Sequence, residues 1–258
     1  RILVRSRGGG VHGATYKWRP DQRDAELVME GQTAELVAAD HSTDAQRWFY
    51  PGVSDCQSCH TPVSGGVLGL NTRQLNRPTS EPNTPIEDNQ LVRWSAMGLL
   101  QPGITADQVA GLLRLADIDN DDADVEHRVR SYLDVNCAMC HQPGGGAGYF
   151  DARFNTPLLK QQLVNGGVMI NLGIDGARIA VPADPWRSLL LKRMTTMDAG
   201  IKMPPLGREH VDEKGSDLVR RWILGMPGPQ VLAPPVAHPE GGEFSQYPSV
   251  SFTHPDPT

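Results

Sequence analysis

The segment Cys137-Ala138-Met139-Cys140-His141 sets two thiols two residues apart and an imidazole directly after the second. This C-x-x-C-H spacing is the attachment signal of a c-type haem. The thiols add across the two vinyl groups of the ring, and the histidine is then held close enough to the ring centre to bind iron. Cys56-Gln57-Ser58-Cys59-His60 repeats the signal, and the two motifs use all four cysteines of the chain. The expectation is two covalently bound haem c groups, one on Cys56 and Cys59 and one on Cys137 and Cys140, with His60 and His141 as iron ligands. Other chemistry competes. Four thiolates could form one zinc site, but that leaves both histidines unexplained. A thioredoxin-like dithiol requires a βαβ setting, which is absent from the pattern. Two local disulfides would suit an exported chain.

A six-coordinate iron needs a ligand on the opposite face. Met203, in Lys202-Met203-Pro204-Pro205, is the expected distal ligand of the second haem. A thioether is soft and favours ferrous iron, and two prolines stiffen the loop that carries it. Met194 and Met197 compete, although methionine is also an ordinary core filler. For the first haem the candidate is Met97, at the end of a short helix and followed by Gly98, a residue that lets the chain leave a helix sharply. Leu91 and Trp94 share the face of Met97, so plain packing is the alternative. His41 is the next candidate and would give a lower potential than a methionine.

These residues need elements to position them. Arg1–Arg5, Ala14–Trp18 and Ala34–Ala38 read as short strands, with Gly8-Gly9-Gly10 turning the first into the second. Trp48, Phe49 and Tyr50 precede the first motif and are candidates for a ring wall. Gln90 to Met97 reads as a helix capped by Asn89, and Thr105 to Gln108 as a capping box with Val109, Leu112 and Leu113 at helical spacing. Five aspartates crowd residues 117–124. An EF-hand would need glycine and glutamate where Asp122 and Arg128 stand, so this reads as a solvated acidic linker. Val125, Val129, Tyr132 and Leu133 mark a helix running into the second motif. Pro143-Gly144-Gly145-Gly146 can lie close against a flat ring. Asp184-Pro185 is expected to open a helix holding Leu189, Leu190 and Leu191. Asp212 would cap a last helix with Leu218, Val219, Trp222 and Ile223 inward.

Composition narrows the function. Hydrophobic residues make up 39% of the 258 residues and aromatics 6%, a thin core that buried haem would supplement. The formal charge of −6 argues against nucleic acid and anionic membrane as partners. No run of about 18 apolar residues is present, so no membrane span is expected. The chain shows no signal peptide and starts at Arg1, which reads as a processed product or a piece of something longer. Haem c is attached outside the cytoplasmic membrane in bacteria, so a periplasmic or extracellular location is expected.

Helix, C-x-x-C-H, long loop, Met-Pro-Pro and a final helix with Trp222 follow one another in a region, about residues 122–228, that resembles class I c-type cytochromes. Tyr16-Lys17-Trp18, Ala25-Glu26-Leu27-Val28, Gln74-Leu75-Asn76-Arg77 and the run from Arg130 to Cys137 together resemble a little-characterised family of bacterial dihaem cytochromes, over nearly the whole chain. In that family such regions are sometimes joined to a β-propeller quinoprotein of the sugar dehydrogenase type. The resemblance implies electron transfer with redox protein partners, including a fused or docked quinoprotein dehydrogenase. It names no substrate.

The expected fold is mainly α with short β segments. It would comprise a β-rich N-terminal segment (1–40), a first haem domain (41–116), the acidic linker (117–124), a second, class I cytochrome c-like haem domain (125–232) and a Pro-rich tail (233–258). The expected function is electron carriage between a dehydrogenase and a downstream acceptor. The alternative is a peroxidase-like dihaem enzyme whose first haem is open on its distal side.

Overall fold

The computed structural model describes residues 1–36, 46–81, 84–147, 149–229, 231–232, 235–239 and 244–253. The chain begins with β1 (Ile2–Arg5), β2 (Val11–Trp18) and β3 (Ala25–Val28), an antiparallel sheet in that order, with Ile2 opposite Ala14 and Thr15 opposite Val28. The triple glycine closes the first hairpin, where the Ser6 N–H donates to Gly10 O. β4 (Gln32–Leu36) pairs with β5 (Gln46–Tyr50). The run expected at Ala34–Ala38 falls partly in β4, and its last two residues lie outside the described residues. Thr15 and Val28 are buried, while Tyr16 and Trp18 remain exposed. The covered face is the one that meets α1 (Val53–Cys59). The approach is close at Gly13, where a Cβ would lie 2.6 Å from Cys56 Sγ. Only a residue without a side chain lets the first motif lie on the sheet.

Three short helices follow. α2 (Thr72–Leu75) is one turn with an Asn71/Gln74 capping box. β6 (Pro78–Glu81) and β7 (Thr84–Asn89) make a hairpin that leads into α3 (Gln90–Ala96), where Asn89 Oδ1 accepts from Leu91 N at 2.9 Å. α4 (Ala106–Val109) carries the expected Thr105/Gln108 box but stops after one turn, so Leu112 and Leu113 fall beyond it.

The core lies in the second half of the chain. α5 (Val125–Asn136), α6 (Leu189–Thr195) and α7 (Glu213–Gly225) pack around Val129, Leu133, Leu191, Leu218, Val219 and Ile223, all almost fully buried. Each buried set recurs three or four residues apart, the spacing of a single helix face. Asp124 and Asp212 cap α5 and α7 by accepting from His127 N and Gly215 N at 2.8 and 2.9 Å, each cap contributing about 1 kcal/mol. α6 begins at Leu189, later than Asp184-Pro185 suggests. The Asp184 carboxylate accepts from the backbone N–H groups of Trp186 and Arg187, an Asx turn that competes with helix. The aspartates of the acidic segment are exposed, and two of them also form ion pairs. Lys214 pairs with Asp119 at 2.9 Å and Arg128 with Asp121 at 2.8 Å, so these aspartates tie α7 and α5 to the segment. The tail forms a further two-stranded sheet, β8 (Val236–His238) with β9 (Ser251–Thr253).

The expectation of a mainly α chain of cytochrome c-like domains is overturned. The described residues are 25% helix and 18% strand, with short helices and several small sheets. Polar side chains end the helices early. Asn76, for example, follows α2 and donates its amide N–H groups to the carbonyls of Leu112, Leu113 and Val109 instead of facing solvent from a longer helix. Between α5 and α6 the chain is held by turns and by isolated bridges such as Val164 with Ala180 and Arg178 with Ser188. Among the described residues no helix is long and apolar enough to cross a membrane.

Candidate functional site

α1 carries Cys56 and Cys59 in its last two turns, and the chain leaves the helix at His60, whose N–H donates to Cys56 O at 3.0 Å. A turn through Thr61 and Ser64 then returns the backbone to His60. There the Gly66 carbonyl stands 2.7 Å from His60 Nδ1. A carbonyl only accepts, so Nδ1 donates, which leaves Nε2 as the nitrogen available to a ligand. This second contact orients a ligating imidazole and raises its basicity. Gly66 has φ of 78°, and a Cβ on it would lie 2.5 Å from Val11 Cγ2. Neither Gly66 nor its role was legible in the motif; the adjacent Gly65-Gly66 pair is the signal that could have pointed to it.

The second motif continues directly from α5. Cys137 caps the helix by donating its N–H to Leu133 O at 2.9 Å, and the His141 N–H donates to Cys137 O at 2.9 Å. The His141 ring stacks on Phe150, with centroids 4.2 Å apart and planes 24° from parallel. Its Nδ1 is buried with no hydrogen-bond partner among the described residues. Burial, with the charge of Arg193 adding to it, pushes the imidazole down to about 4, so it is neutral at ordinary pH. Burial likewise pushes the Cys137 thiol up to about 12.

Cys137, His141 and Met203 line one cavity of about 350 Å³, together with apolar side chains such as Val168, Ile179 and Leu190. Met203 is half-buried, and its N–H donates to Arg193 O at 3.0 Å, so α6 fixes the Met-Pro-Pro loop. Of the competitors, Met194 also lines this cavity, from a buried position in the core, while Met197 is exposed. Arg193 and Arg208 stand on the wall as well. Arg208 donates to the carbonyls of Met194 and Thr196, and burial lowers its pKa. Neither arginine has a carboxylate within ion-pair distance among the described residues. Asp212, on the same wall, already accepts from Tyr132 Oη at 3.0 Å. Sequence reading did not single out Phe150, Arg193 or Arg208 for the site, since nothing local distinguishes them.

The two motifs are neighbours. A second cavity, of about 500 Å³, is lined by Cys56, Cys59 and His60 on one side and by Cys137, Cys140 and His141 on the other, with Met203 also at its edge. Cys140 Sγ reaches within 4.0 Å of Ser58 O. The thiols of Cys59 and Cys140 hydrogen-bond each other, which lowers the pKa of Cys59 and raises that of Cys140. All four thiols are free. Phe49, Leu68 and Gly146 complete the wall, as the aromatic run before the first motif and the glycine loop after the second suggest.

Met97 is not part of this arrangement. It caps the C-terminus of α3, is 63% exposed, and is absent from the lining of the cavity that holds His60. The hydrophobic face of α3 is satisfied by Leu91, which is buried, and the chain turns away at Gly98 with Met97 left outside. The expected pairing of Met97 with His60 is therefore not what the fold brings together. His41 lies outside the described residues. Among the described residues no group of three or more His, Cys, Asp or Glu side chains is gathered to hold a metal ion.

The donor set suits a covalently held ring better than a bare ion: paired free thiols, an imidazole directly after each pair, a thioether on the wall of one cavity, and two cations with Asp212 on a largely apolar wall. No protein family, no curated protein and no solved structure matches this chain.

Proposed function

We propose that this chain is a dihaem c-type electron carrier. The observation that carries the reading is the wall of the cavity of about 350 Å³, where Met203, far away in sequence, lines the same largely apolar space as Cys137 and His141. When bound, haem supplies a one-electron ferric/ferrous couple. Cys56 and Cys59 would hold one ring and Cys137 and Cys140 the other, with His60 and His141 as iron ligands. Met203 closes the second site, and its thioether favours the ferrous state. Phe150 stacks on the His141 ring, Arg193 and Arg208 on the same wall would meet the ring's carboxylates, and the largely apolar lining would exclude water. The partners are redox proteins, with a quinoprotein dehydrogenase as donor following from the family resemblance, and the setting is periplasmic or extracellular. Mass spectrometry under denaturing conditions tests the reading: two haems stay on the polypeptide if it holds, and a bare-chain mass rejects it.

One observation favours a second reading. Because Met97 is exposed and absent from the wall of the cavity that holds His60, the methionine expected to close the first site does not stand there. An iron open on that side would bind small ligands and support peroxide chemistry. Cyanide and carbon monoxide titrations separate the two: rapid binding at one haem per chain marks the enzyme, and slow or absent binding marks the carrier.

A further inference from the structure

We propose that the two attachment motifs form one coupled unit, in which Cys59 and Cys140 hold two haem edges against each other so that the oxidation state of one haem sets that of its neighbour. The inference rests on the haem reading above and goes beyond a relay of independent centres. Attachment adds an S–H across a vinyl C=C, forming one C–S and one C–H bond with no net oxidation, so each sulfur stays where the fold places it and carries a ring edge with it. The fold places Cys140 Sγ against the Ser58 carbonyl, next to Cys59, and opens both motifs onto one cavity of about 500 Å³. An independent contact keeps them there. Arg73, on the segment that follows the first motif, is clamped to Asp134, which lies on α5 one turn before Cys137. Rings attached at these sulfurs would bring their edges together in that shared cavity. In a largely apolar cavity the positive charge of one ferric iron then disfavours a second.

Circular dichroism in the Soret region of the intact two-haem chain tests this. Nearby rings couple their transition dipoles, so a bisignate couplet is expected. The Cys56→Ser, Cys59→Ser variant, carrying one haem, should show a single-signed band and a lower midpoint potential at the second haem, because a ferric neighbour no longer opposes oxidation. Since that variant can fail to fold, electron paramagnetic resonance of the fully oxidised wild-type chain provides a second measurement. Signals broadened by spin coupling support the proposal. Two haems per chain with a simple Soret band, or with two superposed uncoupled spectra, overturn it and leave the carrier reading standing. Fewer than two haems by pyridine haemochrome overturns both.

Discussion

Arg73 and Asp134 meet through two parallel hydrogen bonds, Nε to Oδ2 at 2.7 Å and Nη2 to Oδ1 at 2.8 Å. The Asp134 side chain is completely buried and also accepts from Phe154 N at 2.9 Å. Removing one partner would leave a charge enclosed without compensation, which costs about 3–5 kcal/mol. Arg73→Ala is therefore expected to shift the urea midpoint sharply downward. The double change Arg73→Met with Asp134→Leu should cost clearly less, because no unpaired charge remains. Equal losses in the two variants would show that the pair acts through shape and not charge.

Gly66 positions His60 by its carbonyl, and its backbone lies in the left-handed region with Val11 close by. Gly66→Ala is expected to destabilise the chain by about 1–2 kcal/mol through backbone strain and crowding. It should also turn the carbonyl from Nδ1. A less basic imidazole stabilises ferric iron less, so the potential of the first haem should rise. Potentiometry of the variant checks this, and an unchanged potential would mean that the hydrogen bond does not orient the ligand.

Met203→Ala should open the second site. The oxidised protein is expected to lose the sulfur-to-iron charge-transfer band of that haem, and its potential to fall, because the thioether that favours ferrous iron is gone. Visible spectroscopy and a redox titration read both. Retention of the band would transfer the role to Met194, which lines the same cavity.

Asp151 supplies a pH dependence. Burial pushes its carboxyl upward, but hydrogen bonds from Arg153 and Thr156 outweigh that and hold it below the usual carboxylate range. A folded-state value below the unfolded one means that this stabilisation is fully present above about pH 4 and is lost as pH falls through the folded value. Asp151→Asn should be less stable at neutral pH by about 1–2 kcal/mol. The gap to the wild type should narrow as pH falls below the usual carboxylate range and Asp151 takes up a proton, after which both carry an uncharged group. Urea denaturation across that range is the measurement, and a gap independent of pH would assign the loss to packing.

Local chemistry in this chain is readable from local sequence. The C-x-x-C-H pairs, the caps at Asn89, Asp124 and Asp212, and the inward set of α7 depend on residues within a turn or two of each other, and each appears in the structure where the spacing puts it. The helix expected at Asp184-Pro185 starts late because a side-chain turn competes with it, and propensity alone does not weigh that competition. The balance of helix and strand was misjudged for a related reason: strands such as β3 and β8 are stabilised by partners across a hairpin, not by their own composition.

What the sequence determined by itself was which residues can bond to a ring and to iron: four thiols, two histidines behind them and a methionine in a proline-stiffened loop. Only the tertiary structure decided which of these meet. It set Met203 on the wall with His141, left Met97 at the surface, supplied the Gly66 carbonyl to His60, and brought Cys140 to Ser58 across 82 residues of chain. Bonding capacity belongs to the residue and its neighbours, whereas proximity between distant segments depends on long-range contacts such as Arg73 with Asp134, which no local spacing encodes.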